Sequence, residues 1–305
     1  MKTHSLQVKP DGSAVVDGMV DISTSPLTGK NLVILVPGTE TATIWSFVAR
    51  QLRAEGFDVL PLQLVGFTTH PRDLRRVLHE TIVDSLVRDI QRATAHLPER
   101  PKAVIVGTSY GGPLAVSLAA NFDVQAAVDL RGVATLAPIF EHQHPMAGFG
   151  IRSDVGFAIC KSLSLLFAYV LPLWMQRFSL SWFDARKRKI GFSETEECTA
   201  ELLLYPWLPI SFLLGALVKG SRVGAKALRE NRFAGKLLVV HGGKDVLSGM
   251  IPTELLSAAA QAGKLYRMNG RDVTVLERSG HHLPLCWDRA QLLQVLLQFA
   301  GDICA

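Results

Sequence analysis

Four short apolar runs constrain this chain more than any other feature: "NLVILVPG" (31–38), "KAVIVG" (102–107), "GVATLAPIF" (132–140) and "KLLVVHGGKD" (236–245). Each has strand length, carries β-branched residues, and runs into Gly or Pro. None alternates polar with apolar, so neither face of such a strand can meet water. That is the pattern of strands buried on both sides in a parallel sheet, and it excludes a one-sided antiparallel sheet for this part of the chain. A parallel sheet needs crossover connections, and the sequence between the runs supplies them. "TATIWSFVARQLRAEG" (41–56) places Ile44, Phe47, Val48 and Leu52 at helical spacing before Gly56, and "DSLVRDIQRATAHL" (84–97) repeats the pattern. "FDVLPLQL" (57–64) is the strand between them, and "GGPLAVSLAANF" (111–122) follows the strand "KAVIVG" as a close-packed helix.

The alternation predicts an α/β chain with a doubly wound, mostly parallel sheet. Before it, "SLQVK" and "AVVDGMVDI" read as short strands, with Asp11-Gly12 and Asp17-Gly18 as turns. After "GVATLAPIF" the alternation stops. From about Glu141 to Arg232 the sequence is helix-like, with no clear strand, and rich in Leu, Phe and Trp. It then resumes with the strand "KLLVVHGGKD", the helix "TELLSAAAQAG", the strand "DVTVLE" and a final helix, "RAQLLQVLLQFAGDI". The simplest organisation is a core in two parts, 1–140 and 233–305, interrupted by a helical cap or lid at 141–232.

Bulk properties narrow the function classes. Hydrophobic residues make up 48% of the 305, ample for a large core. A net charge of +5 is too small to imply nucleic-acid binding without a strong cluster. The basic run Arg186 to Lys189, beside Trp182 and Phe183, is either a solvated loop or a weak contact of the cap with an anionic membrane surface. The apolar tract 155–175 approaches the length of a membrane span, but Lys161 and Pro172 break it, which points to apolar helices of a soluble protein. Cys160, Cys198, Cys286 and Cys304 form no C-x-x-C pair, which argues against structural zinc and a disulfide framework and suits a reducing compartment. With no apolar leader at the start, the expectation is a cytoplasmic protein needing no metal and no organic cofactor.

One serine is set among glycines at a strand-to-helix junction. In Gly107-Thr108-Ser109-Tyr110-Gly111, a G-x-S-x-G pattern, the glycines two before and two after Ser109 let neighbouring backbones approach. Such a turn is either a glycine-rich phosphate-binding loop or a nucleophile elbow; no G-x-G-x-x-G or G-K-[ST] supports the first. A serine hydroxyl needs a base, and two later segments supply partners. Asp245 follows the buried strand "KLLVVHGGKD", and His281 lies in "RSGHHLPLCW" before the last helix. The order Ser, Asp, His is the one that accompanies a G-x-S-x-G elbow. His282 is the fallback base and Glu141 the fallback acid. Oxyanion-hole donors are expected from the backbone N–H groups of Tyr110, after the nucleophile, and Thr39, in the loop "VPGTET".

With these residues in view, nearly the whole chain resembles the α/β-hydrolases, in particular their carboxylesterase and monoacylglycerol lipase-like branch. "LVILVPGTET" is similar to the family's strand and oxyanion loop, "VIVGTSYGGPLA" to its G-x-S-x-G-G elbow, "LLVVHGGKDVLSG" to its acid loop and "SGHHLPLCWDR" to its histidine loop. "VLPLQLVGFTTHPRDL" stands where the family has P-x-L-x-G-H-G. Two positions depart: Pro37 replaces the usual histidine before the oxyanion glycine, and Val65-Gly66-Phe67 replaces G-H-G. The resemblance implies a serine hydrolase acting on small-molecule carboxylic esters with apolar acyl groups. Thioester or amide cleavage, acyl transfer, or a non-catalytic receptor of the same fold are the alternatives.

Overall fold

The computed structural model describes residues 6–8, 14–16, 26–38, 42–64, 79–140, 159, 162, 177–179, 207–209, 217–245, 248 and 250–305. Its centre is a six-stranded sheet. The strands are β3 (Leu32–Val36), β4 (Asp58–Pro61), β5 (Lys102–Thr108), β6 (Asp129–Leu136), β9 (Lys236–Gly242) and β10 (Thr274–Leu276), in the order β10-β9-β6-β5-β3-β4. Every neighbouring pair is parallel. Because all six run the same way, their C-terminal ends share one edge, where an open α/β sheet collects its functional loops.

The fully apolar runs are explained by two cores, one on each face. Leu32, Ile34, Ile105, Leu237 and Val239 point into the first; Val33, Leu35, Val104, Val106, Leu238 and Val240 point into the second. The first core is covered by α2 (His79–Thr94), α3 (Gly111–Ala119), α5 (Leu217–Arg229) and α6 (Thr253–Gln261). The second is covered by α1 (Ser46–Ala54), preceded by a 3-10 turn, and by α7 (Arg289–Cys304). The helix read over 111–122 ends earlier, at Ala119, and a short helix the sequence reading does not include, α4 (Phe122–Ala127), begins where the Asn121 side chain accepts from the N–H groups of Asp123 and Val124.

Two short antiparallel pairs lie apart from the sheet. β1 (Leu6–Val8) pairs with β2 (Ala14–Val16), as the turn residues between them predict. β7 (Arg177–Ser179) pairs with β8 (Trp207–Pro209), inside the stretch expected to hold no strand. Each of these strands has three residues and its partner is distant in sequence, so neither alternation nor a tight turn announces it. Most of 141–216, including Glu141, nearly all of the 155–175 tract and the basic run 186–189, lies outside the described residues. Among those described, no helix is long and apolar enough to cross a membrane.

Candidate active site

The turn between β5 and α3 is strained. Ser109 has φ +55°, in the left-handed region that non-glycine residues rarely occupy. Neighbouring backbone holds it there: its N–H donates to Leu136 O (2.8 Å), and its carbonyl accepts from Gly112 N (3.0 Å) and Ile139 N (3.3 Å). The flanking glycines are required by space. A Cβ on Gly107 would lie 2.0 Å from Gly111 O, and one on Gly111 would lie 2.5 Å from both Val36 O and Pro37 O. Gly111 therefore lets α3 start directly against the end of β3, whose following loop carries Thr39.

Two further strand ends bring their side chains to this serine. The Ser109 hydroxyl donates to His281 Nε2 (2.8 Å), and His281 Nδ1–H donates to Asp245 Oδ2 (3.0 Å). The tautomer follows from the partners, since a carboxylate can only accept. Asp245 is fixed in turn by Ser248, whose N–H donates to Oδ1 (3.2 Å) and whose hydroxyl donates to Oδ2. The loops that carry the acid and the histidine are pressed together. Gly243 N donates to Leu276 O and Lys244 N to Ser279 O, and a Cβ on Gly242 would lie 2.2 Å from Gly280 O. The assembly is sealed: Ser109 is 2% exposed, and the His281 and Asp245 side chains 1% each. In so dry a place the charge-assisted hydrogen bonds to the Asp245 carboxylate are stronger than in water.

Ser109, His281 and Asp245, the three residues proposed for a relay, are thus brought into one hydrogen-bonded line. His282 is also buried, with its ring set edge-on to that of His281 and the centroids 5.2 Å apart. Tyr110 sits immediately ahead of α3, fully buried. Thr39 and the fallback acid Glu141 lie outside the described residues.

Three contributors were not foreseen. Ser248 holds the acid, and its signal is the Asp-x-x-Ser spacing, in which the carboxylate caps the N–H three residues on. His241, inside β9, is 1% exposed and feels the charges of Asp245 and His281. Burial pulls its pKa down to about 4 against the raising effect of Asp245, so it is neutral at pH 7 and leaves the Asp245 charge to His281. His79, at the start of α2, lies 3.2 Å from the Tyr110 hydroxyl. A histidine on an apolar strand and another at a helix start carry no sequence signal for such roles.

Among the described residues, no group of three or more His, Cys, Asp or Glu side chains is placed to hold a metal ion. The arrangement can move a proton from a hydroxyl to an imidazole and back without one. Comparison with known proteins places it in context. No curated protein matches the chain by sequence. Among solved structures, the chain is similar to one from the metagenome-derived lipolytic enzymes LipS and LipT, with TM-score 0.62 and 17% identity over 97% of this chain and 100% of that one. It is also similar to an esterase from Exiguobacterium antarcticum (TM-score 0.57, 15% identity, 89% and 92% covered). A third is a Paleococcus ferrophilus monoacylglycerol lipase (TM-score 0.55, 15% identity, 89% and 94% covered). At these identities the likeness is one of fold. A family model described as the alpha/beta hydrolase family matches residues 33–291, which spans all six strands of the sheet and the Ser109, Asp245 and His281 positions. The chain belongs to the alpha/beta hydrolase family.

Proposed function

We propose that the protein is a serine hydrolase that cleaves carboxylic esters of apolar acyl groups through an acyl-enzyme. The observation that carries this reading is the buried line Ser109–His281–Asp245, built on a strained elbow. Ser109 Oγ attacks the ester carbonyl as its proton passes to His281 Nε2. Asp245 holds the ring by Nδ1 and stabilises it when it becomes charged. The tetrahedral oxyanion is held by the backbone N–H groups of Tyr110 and Thr39. His281 then returns the proton to the leaving alcohol, and the bond between the carbonyl carbon and that alcohol breaks. A water, deprotonated by the same imidazole, attacks the acyl-serine and releases the carboxylic acid. Binding alone gives no reason to hold a serine in a disfavoured backbone conformation against a base, which weighs against a receptor.

Of the segment 141–232, helix α5 covers the first core of the sheet; the part before it, with its Leu, Phe and Trp content, serves in this reading as a cap that contributes an apolar acyl site, and its basic run as a weak membrane-surface contact. The substrate is a small molecule, the setting cytoplasmic, and no metal or organic cofactor takes part. Folded protein incubated with a fluorophosphonate probe is expected to be labelled at Ser109, and Ser109→Ala protein is not. Absence of labelling in the wild type rejects the hydrolase reading. A chain-length series of p-nitrophenyl esters tests the acyl preference, and fastest turnover of the acetate would reject an apolar acyl site.

A further inference from the structure

Beneath the elbow, a second buried polar pair, whose side chains the reaction scheme leaves unused, joins three parts of the fold. The Tyr110 hydroxyl and His79 Nδ1 are 3.2 Å apart, with Tyr110 wholly buried and His79 5% exposed. Helix α5 is laid directly across this pair. A Cβ on Gly220 would lie 2.5 Å from Tyr110 Cε2 and 2.9 Å from both His79 Nδ1 and Tyr110 Oη. One helical turn on, a Cβ on Gly224 would lie 2.7 Å from Pro113 Cα and O, so α5 is seated on the first turn of α3 along a glycine-lined face. At the rim, Lys219 of α5 is paired with Glu80 of α2. Thus α2, α5 and the residue after the nucleophile meet at one hydrogen bond.

We infer that His79 is a positioning residue for the oxyanion hole: by fixing the Tyr110 side chain beneath α5, it fixes the angle at which the Tyr110 backbone N–H is presented. The inference rests on the serine hydrolase reading above. Burial, with Lys219 nearby, lowers the His79 pKa to about 4, and burial raises that of Tyr110 above its ordinary value. Both are therefore neutral at pH 7 and share one uncharged hydrogen bond, whose direction follows the His79 tautomer. The packing explains why the hydrogen bond matters for geometry. Tyr110 follows a residue with φ +55°, a backbone under strain, and a side chain anchored at its far end limits how that strain relaxes. An oxyanion donor works only if it is held where the charge will develop, so a small rotation of Tyr110 lowers turnover without loosening ground-state binding.

The test compares Tyr110→Phe, His79→Leu, their double variant and His79→Asn, each with p-nitrophenyl ester kinetics, the rate of fluorophosphonate labelling and a thermal midpoint. Tyr110→Phe keeps the ring and the backbone N–H and removes only the hydroxyl. It and His79→Leu are each expected to lower kcat about tenfold with KM changed less than about twofold. The double variant should be no worse than either single, because both break one interaction. His79→Asn, whose side-chain oxygen can accept from the phenol, should recover most of the loss. A purely structural pair would lower the thermal midpoint and leave kcat unmoved, and that result, or additive losses in the double variant, overturns the inference. If Tyr110→Phe does not fold, the contrast between His79→Leu and His79→Asn decides in the same way. Wild-type protein that resists labelling overturns the hydrolase reading, and this inference with it. Labelled wild type with kcat unchanged in the variants overturns the inference alone.

Discussion

The elbow and the acid loop stand at the same edge of the sheet, yet they are held by different forces. At the elbow, backbone packs on backbone: Gly107 against Gly111, Gly111 against Val36 and Pro37, with Ser109 forced to φ +55°. At the acid loop the backbone is pressed close as well, Gly242 against Gly280, but the Asp245 carboxylate itself is held by polar contacts from Ser248 and His281. The elbow can thus fail by steric change alone, whereas the acid loop can lose its function and keep its shape. Nucleophile position is fixed by what does not fit elsewhere, and acid position by hydrogen bonds that do.

The largest expected effect separates strain from chemistry at one residue. Ser109→Gly removes the nucleophile and should reduce ester turnover by about 10⁴-fold or more. It also relieves the left-handed conformation, so a chemical denaturation curve should show stability equal to or about 1 kcal/mol above the wild type. A large loss of stability would mean that the elbow is not strained. Next, Asp245→Asn should cost about 10³- to 10⁴-fold in kcat by disturbing the His281 tautomer, with a thermal midpoint close to wild type. If that variant instead unfolds, the acid loop is as sterically determined as the elbow and the contrast collapses.

Gly111→Ala should do the opposite, costing about 3 kcal/mol because its methyl group meets two backbone oxygens that cannot yield. A urea midpoint measures this directly. Each region also carries a buried histidine whose pKa is lowered from 6.5 to about 4, His79 below the elbow and His241 beside the acid. Their unfolded forms bind a proton below about pH 6.5 and their folded forms only near pH 4. The unfolded state therefore holds more protons in that window, and stability is lost as pH falls from 6.5 to 4. The loss should be on the order of 3 kcal/mol for His241, and less for the slightly wetter His79. Urea midpoints at pH 7.5 and 4.5 test it, and a His241→Gln protein should show a shallower decline. The smallest effect belongs to Ser248→Ala. Asp245 keeps His281, so kcat should fall only about three- to tenfold with stability nearly unchanged.

Much of the frame was legible because it depends on local rules. Apolar runs without alternation, Gly at the turns and helical spacing between them lead to a doubly wound parallel sheet, and the six parallel strands follow it. The G-x-S-x-G pattern marks Ser109, and the positions of Asp245 and His281 at later strand ends mark the partners the structure places beside it. The antiparallel pair β7–β8 was not legible, since three residues cannot display a period and the pairing spans distant segments. Neither were Ser248, His241 and His79, whose roles come from neighbours that folding brings near.

Local pattern in the chain is enough for the elements of the central sheet, their parallel arrangement and the serine that lies at a turn, because periodicity and glycine placement act within a few residues. Which histidine faces Ser109, what steadies the acid, and the seating of α5 on the Tyr110–His79 pair through Gly220 are settled by packing alone. Those are long-range juxtapositions, fixed to fractions of an ångström by close packing between strand ends and helices that lie far apart along the chain.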